Sequence, residues 1–169
     1  MDRVNKLLAN RNYQLYLESN REEEWERNFC RHHFAHLLDV ARLTYLLLLE
    51  EEKVVLISKE IAYAAGLLHD IGRWHQYKFD TDHAKYSAFL AEPILEETGF
   101  KAEENRLITK AISQHRLNMD LERNEGRHFS PLSKALNRAD NLSRLCYQCT
   151  AKDQCKKINQ QPQKERLIY

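Results

Sequence analysis

Six side chains of this sequence could together hold metal ions: His36, His69, Asp70, His83, His115 and Asp140. Imidazole nitrogen and carboxylate oxygen in this mixture suit divalent iron, manganese, zinc and related ions. The His69-Asp70 pair is the most informative, because it follows the apolar run Ala62-Tyr63-Ala64-Ala65-Gly66-Leu67-Leu68. Two polar groups then sit at the end of a buried helix, where an unpaired carboxylate is costly and a metal would satisfy both. A single inward histidine is more often a hydrogen-bonded core residue than a ligand, so the ordered set carries the reading and no one member does.

Thiols form a second group, in Cys146-Tyr-Gln-Cys149-Thr-Ala-Lys-Asp-Gln-Cys155. Two cysteines separated by two residues, a third six beyond and Cys30 as a fourth point to a structural zinc or an iron–sulfur cluster, with buried free thiols as the alternative. Cys30 lies six residues before His36, and Cys146 six after Asp140. If the helices carrying His36 and Asp140 run antiparallel past a metal, both cysteines are displaced the same way by about 9 Å and can meet.

The elements that position these residues read as helices. Val4, Leu7, Leu8, Leu15 and Tyr16 give a helical pattern over residues 2–18, and residues 20–27 are almost wholly charged. A stronger helix spans about 28–50, where His36, Val40, Leu43 and Leu47 share one face. Ser58 is an N-cap for a third helix that ends near His69-Asp70-Ile71-Gly72, with Gly72 able to reverse the chain. Asp82 caps a fourth, bent or interrupted near Pro93 and closed by Thr98-Gly99; a fifth covers roughly 103–116. Ser130-Pro131 opens a last helix through Asp140 to about Tyr147. Val54 to Ile57 could form a strand but has no partner strand, and 118–129 reads as a loop.

Composition agrees. The 169 residues fit one domain, and only four glycines and three prolines punctuate them, which disfavours a sandwich or barrel. Lys plus Arg number 26 against 25 for Asp plus Glu, so the net charge of +1 names no nucleic-acid polymer or membrane partner. The polar start and the short longest apolar stretch, Ile61 to Leu68, lead us to expect a cytoplasmic protein with reduced thiols. The expected architecture is all-α, a single-domain bundle of about six helices. Residues 1–27 form a helical arm packed on the domain, 28–148 the metal-binding domain, and 149–169 a partly flexible Cys-containing segment.

His36-Leu-Leu-Asp39-Val40-Ala41, Ala65-Gly-Leu-Leu-His69-Asp70-Ile71-Gly72 and Arg138-Ala139-Asp140 resemble the three signature blocks of the HD superfamily of metal-dependent phosphohydrolases, over about residues 31–145. The resemblance implies that His36, His69, Asp70 and Asp140 bind one metal. His83 and His115 match the two extra histidines of the dinuclear branch, in which Asp70 bridges and these two hold the second ion. The chain is similar to the HD-domain diadenosine tetraphosphate hydrolases more than to single-metal deoxynucleotidases, many of which carry a catalytic Glu where this chain has Arg73. The Cys cluster is not part of the family pattern.

Two divalent ions, iron or manganese foremost, lower the pKa of a shared water and neutralise phosphoryl oxygens, so a bridging hydroxide can attack phosphorus without a dedicated protein base. Arg73 and Arg116, next to the ligands, are the leading phosphate clamps; Lys85, Arg138 and Arg144 are near in sequence, and His75 could line the pocket. Trp74 and Tyr77 are expected to pack rather than stack on a base, while His32, His33 and His128 fit no ligand position. The expected activity is hydrolysis of a small phosphorylated metabolite, foremost a nucleotide. The competing readings are an HD-fold di-iron oxygenase and a non-enzymatic nucleotide-binding sensor.

Overall fold

The computed structural model describes residues 1–53, 57–119 and 128–169. Those residues contain eight α-helices: α1 (Asp2–Ala9), α2 (Arg11–Glu23), α3 (Phe34–Glu50), α4 (Lys59–Leu68), α5 (Arg73–Phe79), α6 (His83–Glu97), α7 (Ala102–Gln114) and α8 (Pro131–Leu142). Three short 3-10 turns follow, Cys146–Gln148, Lys152–Gln154 and Ile158–Gln160. The protein is all-helical, as the sequence predicts. The strand expected at Val54 lies largely outside the described residues, as does the middle of the 118–129 loop.

Helix number exceeds the expected six for two local reasons. The arm splits at Asn10, whose side-chain oxygen caps a new helix by accepting from the Asn12 and Tyr13 N–H groups at 2.9 and 3.1 Å. Residues 73–79, read from sequence only as neighbours of the metal pair, form the separate helix α5. Ser58, Asp82 and Ser130 cap α4, α6 and α8 through their side chains, where the sequence places them. By contrast α6 runs unbroken through Pro93. Proline there removes only the bond to the Phe89 carbonyl, on a face where both residues are exposed and water can replace it.

Helix α3 packs on α4 and α8, α6 packs on α7, and α7 reaches back to α4 and α8. The core between them is built from Leu37, Val40, Leu47, Leu68, Ile94, Ile108, Ile112 and Leu136, all fully buried. The arm contributes to the same core through Val4, Leu7 and Tyr13. Arg3 fastens it, with Nε 2.7 Å from Glu60 and Nη1 2.6 Å from Glu104. Among the described residues, no helix is long and apolar enough to cross a membrane.

The α3–α4 crossing determines how close the first two candidate ligands can come. A Cβ on Gly66 would stand 2.3 Å from the Ala41 Cα, so only glycine lets the two backbones touch. His36 on α3 and His69 just past α4 are brought together by that contact. Gly72 serves a related purpose, since a Cβ there would meet the Ser87 nitrogen at 2.8 Å. Its backbone φ is −96°, so the glycine supplies room and not a left-handed turn.

Candidate metal centre

All six predicted ligands converge. Donor atoms of His36, His69, Asp70 and Asp140 lie within 4.8 Å of one another, and so do those of Asp70, His83 and His115. Asp70 belongs to both sets. Its Oδ2 is 3.4 Å from His69 Nε2, and its Oδ1 is 3.0 Å from His83 Nε2 and 3.6 Å from His115 Nε2. On the other side Asp140 Oδ1 is 3.4 Å from His36 Nε2 and 3.8 Å from His69 Nε2.

The rings are turned by what holds their far nitrogens. His69 Nδ1 donates to the Gly66 carbonyl and His115 Nδ1 to the Ile112 carbonyl, each at 2.7 Å and each one helical turn back. His83 Nδ1 donates to Gln76 Oε1 at 2.5 Å, and His36 Nδ1 meets Ser143 Oγ at 3.3 Å. Every Nε2 therefore points at the carboxylates, which is the arrangement that fixes tautomer and direction in histidine metal ligands.

The residues present fit divalent ions. His36 Nε2, His69 Nε2 and Asp70 Oδ1 are buried and have no hydrogen-bond partner. Such atoms are costly unless something else satisfies them. Ligands about 2.1 Å from one ion stand about 3 Å apart at right angles, close to the separations found here. Nitrogen and carboxylate oxygen without sulfur suits iron, manganese or zinc.

Electrostatics keep the carboxylates charged. Burial pushes Asp70 upward, but His69, His32 and His83 around it hold it well below the usual carboxylate range. Asp140 is likewise held low against burial, chiefly by Arg144, whose Nη2 donates to its two oxygens at 2.8 and 3.0 Å. Burial pulls His83 down to about 4, so it is neutral and ready to ligate at neutral pH. His69 is different: burial lowers it, but Asp70 and Asp140 more than compensate and push it up to about 10.

His32 is the residue that sequence reasoning missed. It is buried, with Nε2 3.6 Å from Asp70 Oδ2 and its ring edge-on to His36. Its Nδ1 and backbone N–H both bond the buried Glu24 carboxylate at 2.5 Å, which also accepts from Tyr77 Oη at 2.7 Å. The available signal was its spacing of four from His36. Asn20 adds a second link from α2, donating to the Asp70 carbonyl at 2.9 Å and accepting from the Trp74 N–H at 2.7 Å. The almost wholly charged stretch 20–27 thus supplies two buried residues, Asn20 and Glu24, that brace the centre.

Beside the centre opens a cavity of about 550 Å³. Arg27, Arg73, Arg116, Arg144, Lys156 and Lys157 line it together with His32, Asp70, His83, His115 and Asp140. Of the predicted clamps, Arg73 sets Nη1 2.7 Å from His83 Nε2, and Arg116 Nη1 reaches to 3.5 Å from His83 Nδ1. Lys157 is pulled down first by burial and then by Arg116, Arg144 and Arg73, a concentration of positive charge that favours an anion.

Three predicted residues do not line this cavity. His75 stacks on Tyr86 at 3.8 Å and meets Thr81 Oγ1 at 2.7 Å. Lys85 is exposed on α6, and Arg138 is exposed on α8, where it donates to Tyr169 Oη at 3.2 Å. Proximity in sequence misleads at these positions because neighbours on a helix point in different directions. Trp74 packs edge-on against Tyr86, and Tyr77 reaches Glu24. Of the thiols, Cys30, Cys146 and Cys155 line the same cavity, and all four cysteines are free.

The His/Asp groups where α3, α4, α6, α7 and α8 meet in this helical domain could hold metal ions. The HD domain family model matches residues 33–145, and the chain belongs to that family. Its members are generally metal-dependent hydrolases, and HD domains bind divalent metals. A protein of Clostridium beijerinckii, described as an uncharacterized protein, is 38% identical over 155 residues, 92% of each chain. No solved structure matches the chain.

Proposed function

We propose that this protein is a dinuclear, metal-dependent phosphohydrolase that cleaves a phosphoester or phosphoanhydride bond of a small phosphorylated metabolite, foremost a nucleotide. The observation that carries the reading is the sharing of Asp70 between two donor sets that face a cavity lined by six cationic side chains. His36, His69, Asp70 and Asp140 would hold one ion, and Asp70, His83 and His115 the other. When bound, such ions supply Lewis-acid charge neutralisation and water of lowered pKa.

The chain's own groups do the rest. Arg73, Arg116, Lys156 and Lys157 neutralise and orient phosphoryl oxygens, guanidinium pairs giving paired hydrogen bonds and ammonium groups point charge. Arg144 serves Asp140 first, since that carboxylate engages it directly. Glu24 and His32 keep Asp70 oriented. His75, Lys85 and Arg138 lie off the cavity lining and are given no role in this reading. A cavity of about 550 Å³ suits a small molecule and not a polymer groove.

The test is turnover on a panel of phosphomonoesters, phosphodiesters and nucleoside polyphosphates with manganese or ferrous iron supplied without oxygen. Metal-dependent phosphate or nucleotide release, abolished in Asp70→Asn, supports the assignment. No release from any of them, with metal bound, contradicts it.

A further inference from the structure

The 27 residues beyond α8 contain three 3-10 turns and few buried side chains to anchor them. Cys146, Ala151 and Gln163 are the buried residues of this segment. A segment with so little core is held by cross-links or metal when it is held at all. Yet it contributes Arg144, Lys156 and Lys157 to the cavity, so its position matters.

Its three cysteines are spaced along those turns. Cys146 opens the first, and Cys149 and Cys155 stand at the ends of the first and second in extended backbone. Cys30 comes from the other side, in the loop before α3 that also carries His32, its carbonyl fixed by Arg27 Nε at 3.0 Å. Cys30, Cys146 and Cys155 line one cavity, and Cys149 follows one turn after Cys146, its N–H donating to the Cys146 carbonyl at 3.2 Å, so thiols from both segments are brought to one region.

Separation distinguishes the occupants. Zinc at about 2.3 Å from each thiolate needs the sulfurs about 4 Å apart. Among the described residues, the groups of three or more donor atoms within 4.8 Å are the two His/Asp sets, and the thiols are not among them. A larger body, with iron and sulfide between its ligands, is bound by thiolates set wider apart than zinc allows.

We propose that Cys30, Cys146, Cys149 and Cys155 hold an iron–sulfur cluster that staples the C-terminal segment to the loop before α3 and so builds the cationic wall of the cavity. The cluster is structural and takes part in no electron transfer. It is separate from the His/Asp centre, which has no sulfur ligand.

The test is acid-labile sulfide, which the His/Asp centre cannot contribute, measured on full-length protein purified or reconstituted without oxygen. Wild type is expected to hold about two or four sulfides per chain with visible sulfide-to-iron absorption. Cys149→Ser and Cys155→Ser should lose both while retaining manganese binding at the His/Asp centre, and their residues 143–169 should become accessible to protease. Where a variant fails to fold, the wild type decides. Its thiols should resist alkylation until the cluster is stripped by ferricyanide and chelator. Zinc without sulfide, or four thiols freely alkylated in sulfide-free wild type, overturns the proposal.

Discussion

Asp70 Oδ1 stands 3.0 Å from His83 Nε2, while the other oxygen of the same carboxylate faces His69. A single carboxylate therefore serves two histidine sets from opposite edges. An asparagine side chain in its place would leave one oxygen and one amide where two anionic oxygens now stand. Asp70→Asn is expected to abolish binding of the second ion and weaken the first, read as metal content after gel filtration. Full metal content in that variant would contradict a shared ligand.

Glu24 lies one step behind, bonded to both the ring and the backbone of His32. Partners of this kind are worth about 10–100-fold in metal affinity when removed. Glu24→Gln is therefore expected to weaken metal binding by that factor in competition with a chelator, with the fold intact by circular dichroism. Unchanged affinity would make the Glu24–His32 pair merely a packing feature.

These two cases mark what the sequence does and does not disclose. The order of His36, His69-Asp70, His83, His115 and Asp140 was legible because helical period and a family pattern both place them inward. His32 and Glu24 were not, since they sit outside any helix interior in a stretch whose charge suggests solvent. Burial of such a pair depends on tertiary partners, here Asp70 and Tyr77, that local pattern cannot supply. His75, Lys85 and Arg138 lie off the cavity lining for the converse reason: closeness in sequence fixed their element but not their direction. The cysteine spacing was legible, whereas the sharing of one cavity by thiols and the His/Asp centre needed the fold.

Gly66 gives a stability prediction tied to the site. Gly66→Ala forces a methyl into the Ala41 backbone and is expected to cost about 1–3 kcal/mol, with a lowered Tm. Because the same residue's carbonyl orients His69, metal affinity should fall with it. A variant as stable as wild type would show that α3 and α4 are not in backbone contact.

Protonation gives another. In the metal-free protein, burial lowers the His69 pKa, but Asp70 and Asp140 raise it further, to about 10, so at pH 8 the ring is a cation. Ligation requires the neutral ring, so metal binding should expel about one proton per chain at pH 8. His83, down at about 4, is already neutral and adds none. Calorimetric titration in buffers of different ionisation enthalpy measures this directly. Heats independent of buffer would mean that His69 is neutral before the metal arrives.

Arg116 is exposed at the cavity mouth, so its loss should affect anion binding and not folding. Arg116→Ala is expected to weaken binding of inorganic phosphate to the manganese-loaded protein about tenfold, with Tm unchanged. Arg144→Ala should instead lower metal affinity and stability, because Asp140 loses its buried partner. Equal behaviour of the two variants would refute the division of roles.

The central claim is that two ions share Asp70, and equilibrium manganese binding followed by the electron paramagnetic resonance of the free ion tests it most directly. Manganese favours the oxygen and nitrogen donors and leaves the thiols aside. Wild type is predicted to bind two ions per chain and His83→Ala one. One ion in both proteins would contradict the account.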